Sequence, residues 1–170
     1  MKRHIVGVMG GGEADAEHIA AAYEVGRLIA QNGWVLLNGG RNVGVMDASA
    51  RGAQEAGGLT VGILPDDHRG RASDYLDIEI ITGMGSARNN INVLSSEVVI
   101  ACSGGPGTIS EIALALKAKR RVIILGFDVG TTFSQYAEQG RLVVVHDPEE
   151  AIHAVKELFC AKESPTQRPA

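Results

Sequence analysis

Ser103-Gly-Gly-Pro-Gly-Thr-Ile-Ser-Glu111 is the stretch whose reading decides the fold. Ahead of it, Glu97-Val-Val-Ile-Ala-Cys102 is a short apolar run rich in β-branched residues, the pattern of a buried strand. Behind it, Ile112, Leu114, Ala115 and Leu116 continue as a helix that ends among Lys117, Lys119 and Arg120. A strand, a glycine-rich turn and a helix start together make an anion site. Glycines let backbone approach a ligand closely, and the first N–H groups of a helix have no internal partner. A phosphate takes those donors and meets the positive end of the helix dipole. Gly104, Gly105, Gly107 and Thr108 are the candidate contacts. The same residues have a purely structural reading. Thr108 followed three residues later by Glu111 fits a capping box, in which each side chain satisfies a backbone N–H.

Working outward, His4–Met9 reads as a first strand that runs into Gly10, Gly11 and Gly12. Ala14–Gln31 reads as a helix closed by Asn32-Gly33. Trp34–Leu37 is a second strand feeding the turn Asn38-Gly-Gly-Arg-Asn-Val-Gly44, and Val45–Ala56 a second helix. Leu59–Leu64 is a strand stopped by Pro65, and the polar segment Asp66–Asp77 reads as an exposed loop. Ile78–Ile81 reads as a strand, Ser86–Ser95 as a helix, and Arg121–Leu125 and Leu142–Val145 as further strands. Between those last two, Phe127–Gln139 reads as a loop with a short helix. Asp147-Pro-Glu-Glu150 opens a final helix, with Asp as N-cap, Pro at the first position and Glu150 completing a capping box.

Strands alternate with helices, and several strands are continuous apolar runs. This predicts one α/β, Rossmann-like domain over residues 1–161, with a mainly parallel sheet covered by helices on both faces. Residues 162–170, with Ser, Pro, Thr and Gln, read as a disordered tail. In such sheets ligands sit at the carboxyl ends of the strands, where the strand order reverses. Three glycine turns follow strand ends: Gly10–Gly12, Gly39–Gly44 and Gly104–Gly107. Their convergence on one rim predicts a phosphate-bearing small-molecule ligand, touching Gly10, Gly11, Gly12, Gly39, Gly40 and Gly44 as well as the first turn. Short strand-to-helix loops also use glycine for purely geometric reasons.

Composition narrows the classes. The chain has 170 residues, enough for one sizeable core, and 22 glycines with only 4% aromatics suit helices packed closely on a sheet. A formal net charge of −4 argues against broad binding to nucleic acid. No membrane-length apolar run or signal peptide is read, and Cys102 and Cys160 show no metal spacing, so a reducing cytoplasm is the simple expectation. His4, His18, His68, His146 and His153 are scattered without ligand spacing, so no metal is expected. A P-loop, a strict dinucleotide fingerprint and a Gly-x-Ser-x-Gly elbow are absent.

These motifs resemble the Lonely Guy (LOG) superfamily, often labelled "lysine decarboxylase-like", and within it the bacterial branch related to molybdenum-cofactor carrier proteins. The resemblance covers the chain to about Leu158. The family hallmark is Pro-Gly-Gly-x-Gly-Thr-x-x-Glu. Gly104, Gly105, Gly107, Thr108 and Glu111 match it, Ser103 replaces the leading proline, and Pro106 fills the variable slot. A second motif, Gly-Gly-Gly-x-x-Gly-Leu-Met, is matched by Gly39, Gly40, Gly44 and Met46, with Arg41 for the third glycine and Val45 for the leucine. An Arg-Lys pair precedes the hallmark strand in the family; Arg88 holds the arginine position and Asn89 replaces the lysine.

The resemblance implies two functions. One is a phosphoribohydrolase that cuts the N-glycosidic bond of a nucleoside 5′-monophosphate, with Glu111 and Arg88 catalytic. Loss of a base leaves an oxocarbenium-like sugar, which a carboxylate stabilises, and a planar guanidinium suits a carboxylate or phosphate. The other is a noncatalytic carrier or sensor, with molybdenum cofactor as the carried ligand and no cofactor required otherwise. The lost lysine favours the carrier; the retained Arg88 and Glu111 favour the enzyme, which is the first expectation, with the carrier or sensor as its alternative. Arg41 adds a cation that suits a phosphate in either case, or else is a solvated loop residue; Arg88 has the parallel reading of a surface arginine paired with an acid. Lysine decarboxylation is not expected. Pyridoxal chemistry needs a Schiff-base lysine, and Lys2, Lys117, Lys119, Lys156 and Lys162 all lie outside the strand-end loops. The family also implies a homo-oligomer, a dimer or tetramer.

Overall fold

A computed structural model describes residues 3–163. The elements in order are β1 (Ile5–Met9), α1 (Ala16–Gln31), β2 (Val35–Asn38), α2 (Gly44–Glu55), β3 (Leu59–Leu64), β4 (Ile78–Ile81), α3 (Arg88–Ser95), β5 (Val98–Ala101), α4 (Pro106–Lys117), β6 (Arg121–Leu125), α5 (Ser134–Glu138), β7 (Leu142–Val145) and α6 (Pro148–Glu163). The strands form one seven-stranded sheet in the order β4-β3-β2-β1-β5-β6-β7. Every pairing is parallel, with Val6 beside Val98 and Val35 beside Leu59 in register. The α/β, Rossmann-like expectation holds.

The pleat sorts alternate residues of each strand to opposite faces. Val6, Val8, Leu36, Val98, Ile100, Ile123 and Leu125 meet α1, α2 and α6 through Val25, Ile29, Ala53, Ile152 and Val155. Met9, Leu37, Ile63, Val99, Ala101, Val122 and Ile124 face the other way, onto Val93, Ile112, Ala115 and Leu116 of α3 and α4. Both faces are therefore dry, which is why the strands read as unbroken apolar runs. The order reverses between β1 and β5, so the turns after these two strands flank the switch point. At the outer edge, Ile78, Ile80 and Ile81 of β4 remain exposed.

Several element ends differ from the sequence expectation for local reasons. Helix α1 starts at Ala16, not Ala14, because Asp15 is its N-cap and accepts from the His18 N–H at 2.9 Å. Its far end closes with Gly33 at φ +71 and the Trp34 N–H bonded to Ile29 O at 3.2 Å, so Trp34 belongs to the cap and β2 begins at Val35. Helix α2 spans Gly44–Glu55, a one-residue shift at both ends. Ser86–Ser95 is not one helix: a 3₁₀ turn over Gly85–Ala87 leads into α3. Phe127–Gln139 holds a 3₁₀ turn, Gly130–Phe133, and the short α5. Half of the expected capping box of α6 forms: Asp147 Oδ1 accepts from Glu150 N at 2.8 Å, while Glu150 Oε2 reaches one residue past the cap and accepts from His146 N at 2.9 Å. The expected tail loses its first two residues to α6, and residues 164–170 lie outside the described residues.

Helices α1 and α2 touch backbone to backbone at two glycines. A Cβ on Gly52 would land on the Tyr23 carbonyl, and one on Gly26 on the Ser49 carbonyl. Helix propensity alone favours Gly52→Ala by about 1 kcal/mol. Overpacking against a rigid carbonyl costs about 1–3 kcal/mol and decides the sign. Gly52→Ala is thus expected to lower the urea midpoint without changing the m-value; an unchanged or higher midpoint would contradict this packing.

Candidate functional site

The three glycine turns meet through backbone. The Gly11 N–H donates to Ser103 O at 3.0 Å, and Gly11 O accepts from Val45 N at 3.0 Å. These bonds bring the turn after β1 against both the hallmark turn and the start of α2. Gly44, at φ +56, packs on the Gly11 and Gly12 carbonyls, where a side chain would collide. Asn38, buried at the end of β2, locks the second turn. Its Nδ2 donates to Met46 O and Ser49 Oγ, and its Oδ1 accepts from Gly40 N at 2.8 Å.

Between the turns lies a cleft of about 250 Å³ lined by Gly10, Gly11, Gly12, Gly39, Arg88, Gly105, Gly107, Thr108 and Glu111. Val8, Met9, Met46, Asn89 and Pro106 complete the wall. The structure thus gathers most of the candidate residues. Gly40, Gly44 and Gly104 sit behind the wall and shape the turns; Gly104 packs against Thr108 and the Gly11 amide. Arg41 also lies outside the lining. Its Nε and Nη2 donate to Asp66 at 3.1 and 2.8 Å, and the pairing holds the Asp66 carboxyl below the usual carboxylate range. Arg41 is therefore neither a freely solvated arginine nor an unpaired cation at the rim.

The hallmark helix begins earlier than a capping box at Thr108 would require. Gly105 is the N-cap of α4, Pro106 takes the first position, and no side chain caps the end. Thr108 sits in the first turn and Glu111 a full turn further, so the capping-box reading of this pair is overturned. Glu111 is instead 6% exposed and accepts a hydrogen bond from Asn92 Nδ2 at 2.9 Å. The uncapped first turn of α4 faces the cleft with its N–H groups available to an anion.

Arg88 enters from the first turn of α3. It is 9% exposed, and its Nε is buried without a hydrogen-bond partner. Among the described residues its side chain forms no ion pair, so the surface-arginine reading also falls. The guanidinium lies on Gly39, where a Cβ would strike Arg88 and come within 2.6 Å of Met46 Sδ. Burial lowers the Arg88 pKa, while nearby Glu111 opposes that shift. Burial raises the Glu111 pKa, opposed by the Asn92 hydrogen bond and by Arg88. Asn89, in the family's lysine position, donates to Ser110 Oγ at 3.1 Å and brings no charge.

Asn92 was not among the candidate residues. A signal was present: Arg88, Asn89 and Asn92 share one face of a helix at spacings of one, three and four, and asparagine is a poor helix former. Only the packing of α3 on α4 shows that this face meets Glu111.

An uncapped helix start, glycine turns at the switch point and a buried arginine whose Nε lacks a partner meet in one cleft of a Rossmann-like α/β domain. The chain belongs to the SLOG cluster4 family, whose model matches residues 3–152. It is 48% identical to the molybdenum cofactor binding protein of the phototrophic bacterium Rippkaea orientalis, covering 94% of this chain and 99% of that one with a TM-score of 0.88. It is 45% identical to the molybdenum cofactor carrier protein of Chlamydomonas reinhardtii, with the same coverage and a TM-score of 0.86. It is also 38% identical over 99 residues to the cytokinin riboside 5′-monophosphate phosphoribohydrolase of Mycobacterium tuberculosis. That match covers 57% of this chain and 53% of the relative, so the chain spans about half the length of this hydrolase. No described helix is long and apolar enough to cross a membrane.

The raised Glu111 pKa carries a stability consequence. A carboxyl whose folded pKa lies above its unfolded value contributes stability that is full below the unfolded pKa, about 4.3, and is lost as pH rises through the folded value. Glu111→Gln, neutral throughout and still able to accept from Asn92, is expected to unfold at a higher temperature than wild type near neutral pH. The gap should close as pH falls toward about 4. A variant less stable than wild type at neutral pH would mean that the attraction to Arg88 outweighs desolvation.

Proposed function

We propose that this protein binds a phosphate-bearing small molecule at the start of α4 and acts as a carrier of molybdenum cofactor, with the phosphate on the first-turn N–H groups. The observation that carries the reading is Arg88, buried in the cleft wall with its Nε unpaired. An anion beside it would supply the partner that the fold withholds. Gly105, Gly107 and Thr108 hold the phosphate by backbone. The turns at Gly10–Gly12 and Gly39 form the wall against which the rest of the ligand lies. The near-full-length likeness to carrier proteins and the neutral Asn89 support carriage over turnover.

A second reading rests on Glu111. It lines the same cleft as Arg88, the arrangement a phosphoribohydrolase needs to steady a developing ribosyl cation. Two experiments separate the readings. Mass spectrometry of ligand released from gently purified protein is expected to find a pterin, and a panel of nucleoside 5′-monophosphates is expected to yield no free base. Base release by wild type that disappears in Glu111→Gln would assign the hydrolase instead.

The proposal includes a cytoplasmic homo-oligomer. Leu94 of α3 and Ile109 of α4 are exposed on neighbouring helices and supply apolar surface for a second copy. Light scattering coupled to gel filtration is expected to give a dimer or tetramer, and Leu94→Glu to shift it toward monomer. A wild-type monomer at micromolar concentration would remove this part of the proposal.

A further inference from the structure

Next to Glu111 lies an amide oxygen that nothing satisfies. Asn92 is 0% exposed; its Nδ2 donates to Glu111 Oε1 at 2.9 Å, and its Oδ1 is buried without a partner. A carboxamide has two unlike ends. Its NH₂ suits a carboxylate, which only accepts; its C=O suits a carboxylic acid, which donates one O–H. Rotation of the terminal amide exchanges the ends in place. The pair is therefore built to accommodate Glu111 in either protonation state, and the unsatisfied oxygen is the end held in reserve.

The surroundings supply the drive. Glu111 lies about 6 Å along α4 from the Gly107 amide, four residues of helical rise. An oxyanion at the helix start would thus sit close to the buried Glu111 carboxylate, and two like charges at short range disfavour each other. The charged group facing Glu111 is Arg88 from α3, with Asn92 beside it. Arg41 and Asp66 act further out, on Arg88, with opposite signs. Burial already favours the neutral carboxyl. A bound anion would share the field of Arg88, leaving Glu111 less support for its charge.

We propose that Glu111 takes up one proton from solvent when an oxyanion docks at the start of α4, and that the Asn92 carboxamide turns over so that its Oδ1 accepts the new O–H. Binding is then proton-linked: affinity is highest at low pH and falls as pH rises between the free and bound titrations of Glu111. The inference rests on the anion-site reading above. It also bears on turnover, because a neutral Glu111 cannot steady a ribosyl cation. A proton-linked site holds its ligand and releases it on deprotonation.

The test is calorimetric titration of the intact protein with sulfate, which does not itself titrate near neutral pH, in buffers of different ionisation enthalpy. Wild type is expected to take up close to one proton per sulfate, with affinity falling by up to about tenfold per pH unit. Glu111→Gln is expected to bind with no proton uptake and a flat pH profile. Asn92→Leu removes both the donor that favours the carboxylate and the oxygen that would accept the new O–H, so proton uptake per sulfate is expected to fall. Sulfate binding by wild type without proton uptake, or uptake that persists in Glu111→Gln, overturns the inference. If sulfate fails to bind while AMP binds, the inference falls and the anion site stands. If neither binds, both fall.

Discussion

The site depends on one residue's backbone. Gly11 donates its N–H to Ser103 O and offers its C=O to Val45 N, both at 3.0 Å. These two bonds join the turns after β1 and β5 to the start of α2, across the point where the strand order reverses. They need main chains in near contact, which explains the company Gly11 keeps. Gly44 meets its carbonyl and Gly104 its amide, each where a Cβ would collide. A cleft assembled this way presents peptide groups whose directions are set by the sheet itself. One buried side chain, Asn38, pins the second turn; Arg88 and Glu111 then add the charged groups of the wall.

Much of the fold was legible because it is strongly punctuated. Leu59–Leu64, Ile78–Ile81, Arg121–Leu125 and Leu142–Val145 are strands with the boundaries that glycine, proline and the apolar runs predict. The meeting of the three glycine turns followed from parallel topology alone. Local spacing misled at Thr108 and Glu111. Residues three apart fit the cap and third position of a helix, and equally two places one turn apart inside it. Pro106 resolves the choice, since its fixed φ suits the first helical position and moves the start forward. What stayed hidden was long-range. The pairing of Arg41 with Asp66 depends on the loop after β3 folding back, and the bond from Asn92 to Glu111 depends on how α3 lies on α4. Local sequence marks the polar face of α3 that carries Asn92, but neither partner is visible in a window of neighbouring residues.

The cleft holds two ionisable groups in tension. Arg88 and Glu111 are both nearly excluded from water, yet they form no ion pair, and burial works against the charge of each. Leaving a buried charge short of partners costs several kcal/mol in general. A site in this condition is poised toward whatever restores balance, and a ligand that is negative at one end does so for the arginine. At the position where the resemblance puts a lysine, this chain carries the neutral Asn89. Asn89 bonds to Ser110 and adds no charge to the cleft.

The sheet's outer rim has a consequence of another kind. Strand β4 ends the sheet on one side, only four residues long, with three isoleucines exposed and its outer row of peptide groups open. Such an edge invites a foreign strand to add to it. In its middle stands Glu79, half-buried and paired with Arg69 at 3.0 Å. A strand docking there would have to strip water from that ion pair or break it. A charged side chain on an edge strand disfavours such pairing, which gives Glu79 a protective place in the fold far from the cleft.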